Sequence, residues 1–159
     1  MTAATMKVRD GTALVYEVQG RAGEAMPLVL IHSLGMDRGF WDAVKNHQLT
    51  VQRCNACGGF QFGPEWICYR CHSDDLGWHR VSGRGRIYSW VRIWNPVHPA
   101  LREACPYIAL VVELPDADNV RMVGNLLGDP RQEPQFDAAV EAVFEDHDEG
   151  YTLVQWKLV

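Results

Sequence analysis

The sequence has no long apolar run, no low-complexity tract and no internal repeat. None of its apolar stretches approaches the roughly 18 residues of a membrane-spanning helix. Its start, MTAATMKVRD, lacks the basic and apolar regions of a secretory signal peptide. Hydrophobic residues make up 47% and charged residues 22% of the chain, as in an ordinary globular protein. We therefore expect a cytoplasmic protein without a membrane segment.

The chain also lacks a surplus of basic residues. Its formal net charge is -5, whereas a protein that binds phosphate backbones needs excess lysine and arginine to displace counterions. This balance argues against nucleic acid as a general partner.

Catalytic motifs are absent as well. No Gly-x-Ser-x-Gly elbow occurs, so a serine hydrolase mechanism would have no nucleophile. No acid, base and nucleophile stand out together, and we expect no catalysis by this chain alone. One alternative stays open, in which Cys105 is a nucleophile and His98, in a proline-bounded loop, is its base. The simpler interpretation makes Cys105 a small buried hydrophobe and His98 a surface residue.

Cysteine is the residue type whose spacing is most informative. Four of the five cysteines form two Cys-x-x-Cys pairs, Cys54 with Cys57 and Cys68 with Cys71. In a reducing compartment this spacing favours metal ligation over disulfides. We predict a zinc ribbon in which four thiolates, each about 2.3 Å from Zn²⁺, form a closed structural shell. Redox use is the competing interpretation, but neither pair opens a helix.

The segments around the two pairs complete the predicted ribbon. The ten residues between them are long enough for a hairpin, with Phe60, Phe62 and Trp66 as a small apolar cap. His72 follows the last cysteine and is interpreted as a solvated neighbour. Upstream, residues 37–50 predict a helix with Phe40, Trp41, Val44 and Leu49 on one side.

Residues 6–32 predict strands, with a turn at Asp10–Gly11 and the apolar run PLVLIH. The segment LVLIHSLGMD, at residues 28–37, and the following Phe40–Trp41 resemble the start of an α/β-hydrolase, although Ser33 stands where glycine is usual. About the first 45 residues are covered, and the rest of such an enzyme is absent. Because these strands have few sheet neighbours, we expect lower order before about residue 36.

The C-terminal half predicts a five-stranded OB-type barrel. Its candidate strands, separated by turn residues, are 78–94, 106–115, 119–127, 139–146 and 151–158. Gly83 and Gly85 are expected to bend the long first strand. Strict alternation in that strand predicts an aromatic and basic face that stacks rings, holds phosphate or contacts a subunit. The alternative is a partly covered barrel exterior without a binding role. The residues of this candidate ligand-binding or partner-binding site, with the nearby loop histidine, are Arg86, Tyr88, Trp90, Arg92, Trp94 and His98.

From Phe40 onward, the order of motifs is a Phe-Trp helix, CNACGGFQFGPEWICYRC, Trp78, GRGRIYS and four apolar strands. This order resembles the family of zinc-ribbon plus OB-fold proteins that accompany thiolase-like enzymes, over about 120 residues. Two features depart from the family: the hydrolase-like start, and Asp137-Ala-Ala where Gly-x-Pro is usual before the fourth barrel strand.

The resemblance implies a noncatalytic accessory subunit. Its partner would be a thiolase-fold enzyme, with acyl-CoA as a shared ligand and steroid side-chain degradation as one setting. The expected fold is mainly β, with the domains 1–36 (hydrolase-like extension), 37–50 (helix), 51–77 (zinc ribbon) and 78–159 (OB fold). A single-stranded nucleic-acid-binding OB-fold protein is the alternative.

Overall fold

The structure is a computed structural model that describes residues 3–7, 13–17, 39–63, 65–95, 99–148 and 151–159. At its start, β1 (Ala3–Lys7) and β2 (Ala13–Glu17) pair antiparallel as a sheet of their own and flank the predicted Asp10–Gly11 turn. The predicted PLVLIH strand and the hydrolase-like loop lie outside the described residues, and so does most of the segment for which we expect lower order. No helix in the described ranges is long and apolar enough to cross a membrane.

The predicted helix is present but shorter than expected. Helix α1 spans Gly39–Lys45 and buries Phe40 and Val44. It ends because His47 adopts a left-handed conformation with φ of 53°. The amide of His47 then donates to the carbonyl of Val44, and that of Gln48 donates to the carbonyl of Ala43, as in a Schellman cap. Leu49 is buried, but it follows this turn.

A three-stranded sheet forms the ribbon. Its strands are β3 (Thr50–Cys54), β4 (Phe60–Gln61) and β5 (Leu76–Arg80), with β3 in the centre and both pairs antiparallel. The long first strand predicted for the barrel is therefore wrong in its extent. Its first residues belong to β5 and the ribbon, and the chain turns at Gly83, whose φ is 78°.

The barrel itself has the predicted five strands. They are β6 (Arg84–Ile93), β7 (Tyr107–Leu114), β8 (Val120–Leu126), β9 (Ala139–Asp146) and β10 (Thr152–Leu158). The closed order is β10-β8-β7-β6-β9, and the β10–β8 contact is parallel. A mainly β chain with a five-stranded OB-type barrel is thus confirmed.

The turn before β9 shows how the departure from the family pattern is accommodated. Asp137, in place of glycine, takes a φ of 61°, a conformation that aspartate tolerates better than most residues. Its amide donates to the carbonyl of Ile87 at 2.9 Å, and the amide of Ile87 donates to the carbonyl of Ala138 at 3.0 Å. The turn therefore closes against β6.

One apolar core joins the helix, the ribbon and the barrel. Every second residue of β7 is buried, from Ile108 to Leu114. The same cluster includes Phe40 of α1, Val51 of β3 and the fully buried Trp156 of β10. The ribbon is therefore packed on the barrel by apolar contacts and is not merely tethered to it.

The closest backbone approach in the barrel generates a stability prediction. A Cβ added at Gly85 would lie 2.3 Å from Cγ1 of Val112 and 2.8 Å from the carbonyl oxygen of Glu113. We expect Gly85→Ala to lower the free energy of unfolding by about 1–3 kcal/mol through overpacking, measured by urea denaturation. Gly77→Ala is the control, because its added Cβ would meet nothing closer than 3.5 Å. Equal stability of the two variants would contradict this packing.

Candidate metal centre and docking face

The two cysteine pairs sit on turns of the same design. In the first turn, the amide of Gly58 donates to the carbonyl of Cys54 at 2.8 Å, and Gly58 has a φ of 74°. In the second turn, the amide of His72 donates to the carbonyl of Cys68 at 3.0 Å, and His72 has a φ of 58°. A left-handed residue thus follows each pair, and His72 occupies the position that glycine has in the first turn.

The structure brings the four predicted cysteines together. All four sulfurs lie within 4.8 Å of one another, and this is the group that could hold a metal ion within the described part of the chain. The Sγ atoms of Cys54 and Cys71 are 3.6 Å apart, as are those of Cys57 and Cys68. Tetrahedral Zn²⁺ with Zn–S bonds of about 2.3 Å requires sulfurs about 3.8 Å apart. The arrangement therefore fits a four-sulfur zinc site.

Ionisation of these thiols also fits a cation. Backbone amides of Cys71 and Arg70 lower the pKa of Cys68 to about 6. A backbone hydrogen bond from Ser73 lowers the pKa of Cys71, but the Cys54 thiol and burial outweigh it and raise that pKa to about 12. Further thiolates in so small a volume need a positive charge to form, and a bound dication supplies it.

Two buried glutamines position the second turn, and sequence reasoning missed both. The side-chain Nε2 of Gln52 donates to the carbonyl of Glu65, and its Oε1 accepts from the amide of Glu65, each at 2.9 Å. Gln61 donates to the carbonyl of Ile67 at 3.1 Å and accepts from the amide of Tyr69 at 3.1 Å. Gln61 falls within the predicted hairpin and Gln52 just before the first cysteine pair, and a buried amide leaves no periodic signal at either position.

The predicted apolar cap of the ribbon is only partly correct. Phe60 and Phe62 pack against the core cluster, and the ring of Phe62 meets that of Phe40 at 6.0 Å. Trp66 instead has 66% of its surface exposed. Its assignment to the cap was wrong, because its side chain faces solvent next to Glu65, whose backbone is bonded to Gln52.

The predicted aromatic and basic face of β6 is divided by a β-bulge. The register with β7 shifts between Ile87 and Ser89, so one extra residue, Tyr88, is accommodated there. Beyond it, Trp90 lies opposite the buried Leu110 and therefore points inward. The prediction of one shared face was wrong because alternation holds only while the register is unbroken.

Arg92 lies on the same inward side of β6 as Trp90, and its side chain holds the β8–β9 loop. Its guanidinium donates to the carbonyls of Pro130, Arg131 and Gln132 and to Oε1 of Glu133. It also lies 5.5 Å from the ring of Trp90 and 5.6 Å from that of the exposed Trp94. These groups stabilise the β8–β9 loop, and their proposed binding role stays a prediction.

The opposite, outward face is apolar in its centre. Val91 and Val123 are 57% and 71% exposed, and the half-buried Val111 lies opposite Val123 on the neighbouring strand. On one side this face is bounded by Arg121, whose guanidinium lies 3.6 Å from the ring centroid of Tyr88 and 3.0 Å from Glu113. We call the face formed by Tyr88, Val91, Val111 and Val123 the valine face.

The structure does not describe both members of the candidate Cys105 and His98 pair. Cys105 is half-buried before β7, less buried than predicted. His98 lies outside the described residues. The prediction of a catalytic pair therefore stays untested.

A histidine–aspartate contact joins the end of α1 to β9. Nε2 of His47 lies 2.9 Å from Oδ2 of Asp146, and the hydroxyl of Thr152 donates to Oδ1 at 2.7 Å. The Thr152 hydrogen bond and then that of His47 hold the pKa of Asp146 below its ordinary value. The His47 ring also stacks on Phe144 with centroids 5.2 Å apart.

Comparison with known proteins gives the family. Two family models match the chain: the rubredoxin-like zinc ribbon domain of ChsH2 over residues 41–77 and the C-terminal OB-fold domain of ChsH2 over residues 78–145. A solved chain described as Ltp2-ChsH2(DUF35) aldolase is 30% identical with a TM-score of 0.68, and the match covers 79% of this chain and 97% of that one. The chain belongs to the ChsH2-type DUF35 family. A DUF35 protein from Sulfolobus solfataricus, 14% identical with a TM-score of 0.54, shares the fold over 77% of this chain and 84% of its own.

Curated relatives are subunits of CoA-dependent enzymes. The probable enoyl-CoA hydratase alpha subunit of Thermomonospora curvata is 35% identical over 60% of this chain. The 3-oxo-4,17-pregnadiene-20-carboxyl-CoA hydratase alpha subunit of Mycobacterium tuberculosis is 30% identical over 74%, and the benzoylsuccinyl-CoA thiolase subunit BbsA of Geobacter metallireducens is 33% identical over 51%. The chain spans 29%, 36% and 51% of these relatives' own lengths.

The contact between α1 and β9 predicts a pH-dependent stability. Because the folded pKa of Asp146 is lowered, its contribution is present above the ordinary aspartate pKa of about 4. It is lost as pH falls through the folded pKa. We expect Asp146→Asn to lower the melting temperature at pH 7, with a difference from the parent that shrinks as the pH approaches 2. Asp148→Asn, with the same charge change on the exposed β9–β10 turn, is the control. A difference independent of pH would contradict the assignment.

Proposed function

We propose that this chain is a noncatalytic accessory subunit that binds a thiolase-fold enzyme and assists in handling its acyl-CoA substrate. The observation that carries the proposal is the 30% identity to the aldolase chain, of which the match covers 97%. The thiolase subunit BbsA, matched over half its length, supports the same class of partner. The hydratase subunits are much longer than this chain, so their activity is not carried over.

We propose a structural role for the metal in this subunit. Cys54, Cys57, Cys68 and Cys71 would supply four thiolates to one Zn²⁺, which leaves no coordination position for water. The ion would fix the two cysteine turns relative to β3 and thus the ribbon relative to the barrel. Such a site supports folding and presentation of a surface, not chemistry on a substrate.

Replacement of an exposed ligand tests the zinc site without removing core packing. Cys57 is exposed, so Cys57→Ser deletes little apolar contact. We expect zinc content to fall from one equivalent per chain to a small fraction, with loss of the ribbon's amide dispersion in NMR, because metal binding drives the folding of small ribbons. Cys105→Ser is the matched control and should retain full zinc. Full zinc in the Cys57→Ser protein would contradict the ligand set.

The valine face is our proposed contact with the thiolase-fold subunit. Its centre is apolar, while Arg121, Glu113 and Arg86 form a charged row along one border. An apolar centre with a polar rim is the usual anatomy of a protein interface. Val91 on β6 and Val123 on β8, each more than half exposed on either side of β7, are otherwise a liability in water.

Acyl-CoA would be held jointly with the partner. Two cavities in the described part of the chain, of about 230 and 70 Å³, are each smaller than the roughly 300–1,000 Å³ of small-molecule sites. A CoA thioester therefore fits neither, and a shared site at the subunit boundary accounts for both the relatives' CoA chemistry and the small cavities. A cytoplasmic location belongs to this proposal, because the cysteine cluster needs reduced thiols.

The docking prediction uses charge insertion. We expect Val91→Glu/Val123→Glu to abolish co-purification with thiolase-fold proteins encoded beside the gene and co-expressed with the tagged chain, because two carboxylates would be desolvated in the contact. Phe136→Glu is the control, because Phe136 is equally exposed, at 69%, but lies in the β8–β9 loop. Retained zinc and an unchanged melting curve show that the double variant is folded. Co-purification of the folded double variant at parent yield would contradict the proposed face.

No specific observation favours the nucleic-acid alternative. The guanidinium of Arg92 is occupied by loop carbonyls, and that of Arg121 is paired with Glu113. This alternative relied on the aromatic and basic face of β6 for base stacking, and the β-bulge at Tyr88 divides that face.

A further inference from the structure

The ribbon also carries a cavity that belongs neither to the four-cysteine site nor to the valine face. It is a cavity of about 230 Å³ on the β3–β5 side of the ribbon sheet. The lining side chains that matter are two indoles, two carboxylates and a buried amide: Trp66, Trp78, Glu65, Asp74 and Gln52.

The walls of this cavity are held in place before any ligand arrives. Gln52 is 5% exposed and clamps both backbone polar groups of Glu65 at 2.9 Å. Trp78 lies directly opposite Gln52 in the β3–β5 ladder, so the two side chains project from the same face of the sheet. The positions of Glu65 and Trp78 are therefore fixed by buried structure, which lowers the entropic cost of binding.

The charge of the cavity is negative and uncompensated by the described part of the chain. Neither the Glu65 nor the Asp74 carboxylate makes a hydrogen bond or ion pair there, whereas the neighbouring Asp75 accepts from Asn55 at 2.7 Å. The two carboxylates therefore line the cavity without a cationic partner in the described ranges.

Size and charge together select the ligand class. The cavity is too small for a CoA thioester, and its carboxylates repel phosphate groups. Indole faces attract cations, and the planar guanidinium both stacks on such faces and pairs with carboxylates in a fork geometry. A single arginine side chain satisfies the volume, the aromatic walls and the two negative charges.

We infer that this cavity receives an arginine side chain of the partner subunit, and the source of that arginine rests on the function proposed above. Trp66, 66% exposed in the free chain, would be covered when the arginine enters. Tryptophan and arginine are the residues that most often dominate interface energetics. The ribbon is then a second, charge-selective contact beside the apolar valine face.

The cavity is tested without any partner by two small probes. N-acetyl-L-arginine amide and its neutral isostere N-acetyl-L-citrulline amide are titrated into the zinc-loaded, ¹⁵N-labelled full chain, while the indole N–H signals of Trp66 and Trp78 are followed. We expect saturable shifts of both signals with arginine only, and weakening as salt is raised. No saturable shift with arginine, or equal shifts with citrulline, would overturn the inference.

Charge-neutral variants localise the site. Because the backbone of Glu65 is held by Gln52, Glu65→Gln/Asp74→Asn removes both charges without removing that clamp. We expect this variant to bind the arginine probe at least about tenfold more weakly, while Asp148→Asn binds as the parent does. Unchanged binding by the double variant would overturn the assignment. If the parent chain binds the arginine probe but no thiolase-fold partner, the result counts against the proposed function and not against the arginine site. The failure of one proposal can therefore be distinguished from the failure of the other.

Discussion

The convergence of four cysteine sulfurs within 4.8 Å is the constraint on which the rest of the structure depends. The ribbon sheet has only three short strands, one of two residues, and cannot bury enough apolar surface to fold alone. Two matching turns bring the thiols together, and the buried Gln52 and Gln61 hold the segment between the pairs. The sulfur cluster and these amides together fix the segment between the cysteine pairs, which has little regular secondary structure of its own.

This module is coupled to the barrel by shared packing. Phe40, Val44 and Val51 belong to the same apolar cluster as the β7 residues and Trp156. The His47–Asp146 contact adds a polar joint between the end of α1 and β9. In the role proposed above, the chain would present two surfaces in fixed relation: the valine face on the barrel and the acidic aromatic cavity on the ribbon. That is suited to an adaptor that must meet a partner at more than one point.

The sequence predicted those features that depend on local spacing. Two Cys-x-x-Cys pairs predict a metal ribbon, and the turn residues between apolar runs located four of the five barrel strands within one residue, whereas the first was extended into β5. Features set by tertiary pairing were not readable. The bulge at Tyr88 exists only relative to β7, so strict alternation placed Trp90 and Arg92 on the wrong side. The exposure of Trp66 and the hydrogen bonds of Gln52 to the backbone of Glu65 likewise leave no signal in the sequence pattern.

Family membership indicates a class of protein, the DUF35 proteins that accompany other enzyme subunits, but it does not identify a reaction. The solved aldolase chain shares the fold of this chain, and the proposed role as an adaptor uses only what the ribbon and the barrel provide. The central claim is that four sulfurs form a closed shell around one zinc ion and thereby fix the ribbon. X-ray absorption at the zinc edge of the purified chain tests it: we predict four sulfur neighbours at about 2.3 Å and no nitrogen or oxygen. A mixed shell, or fewer than four sulfurs, would contradict it.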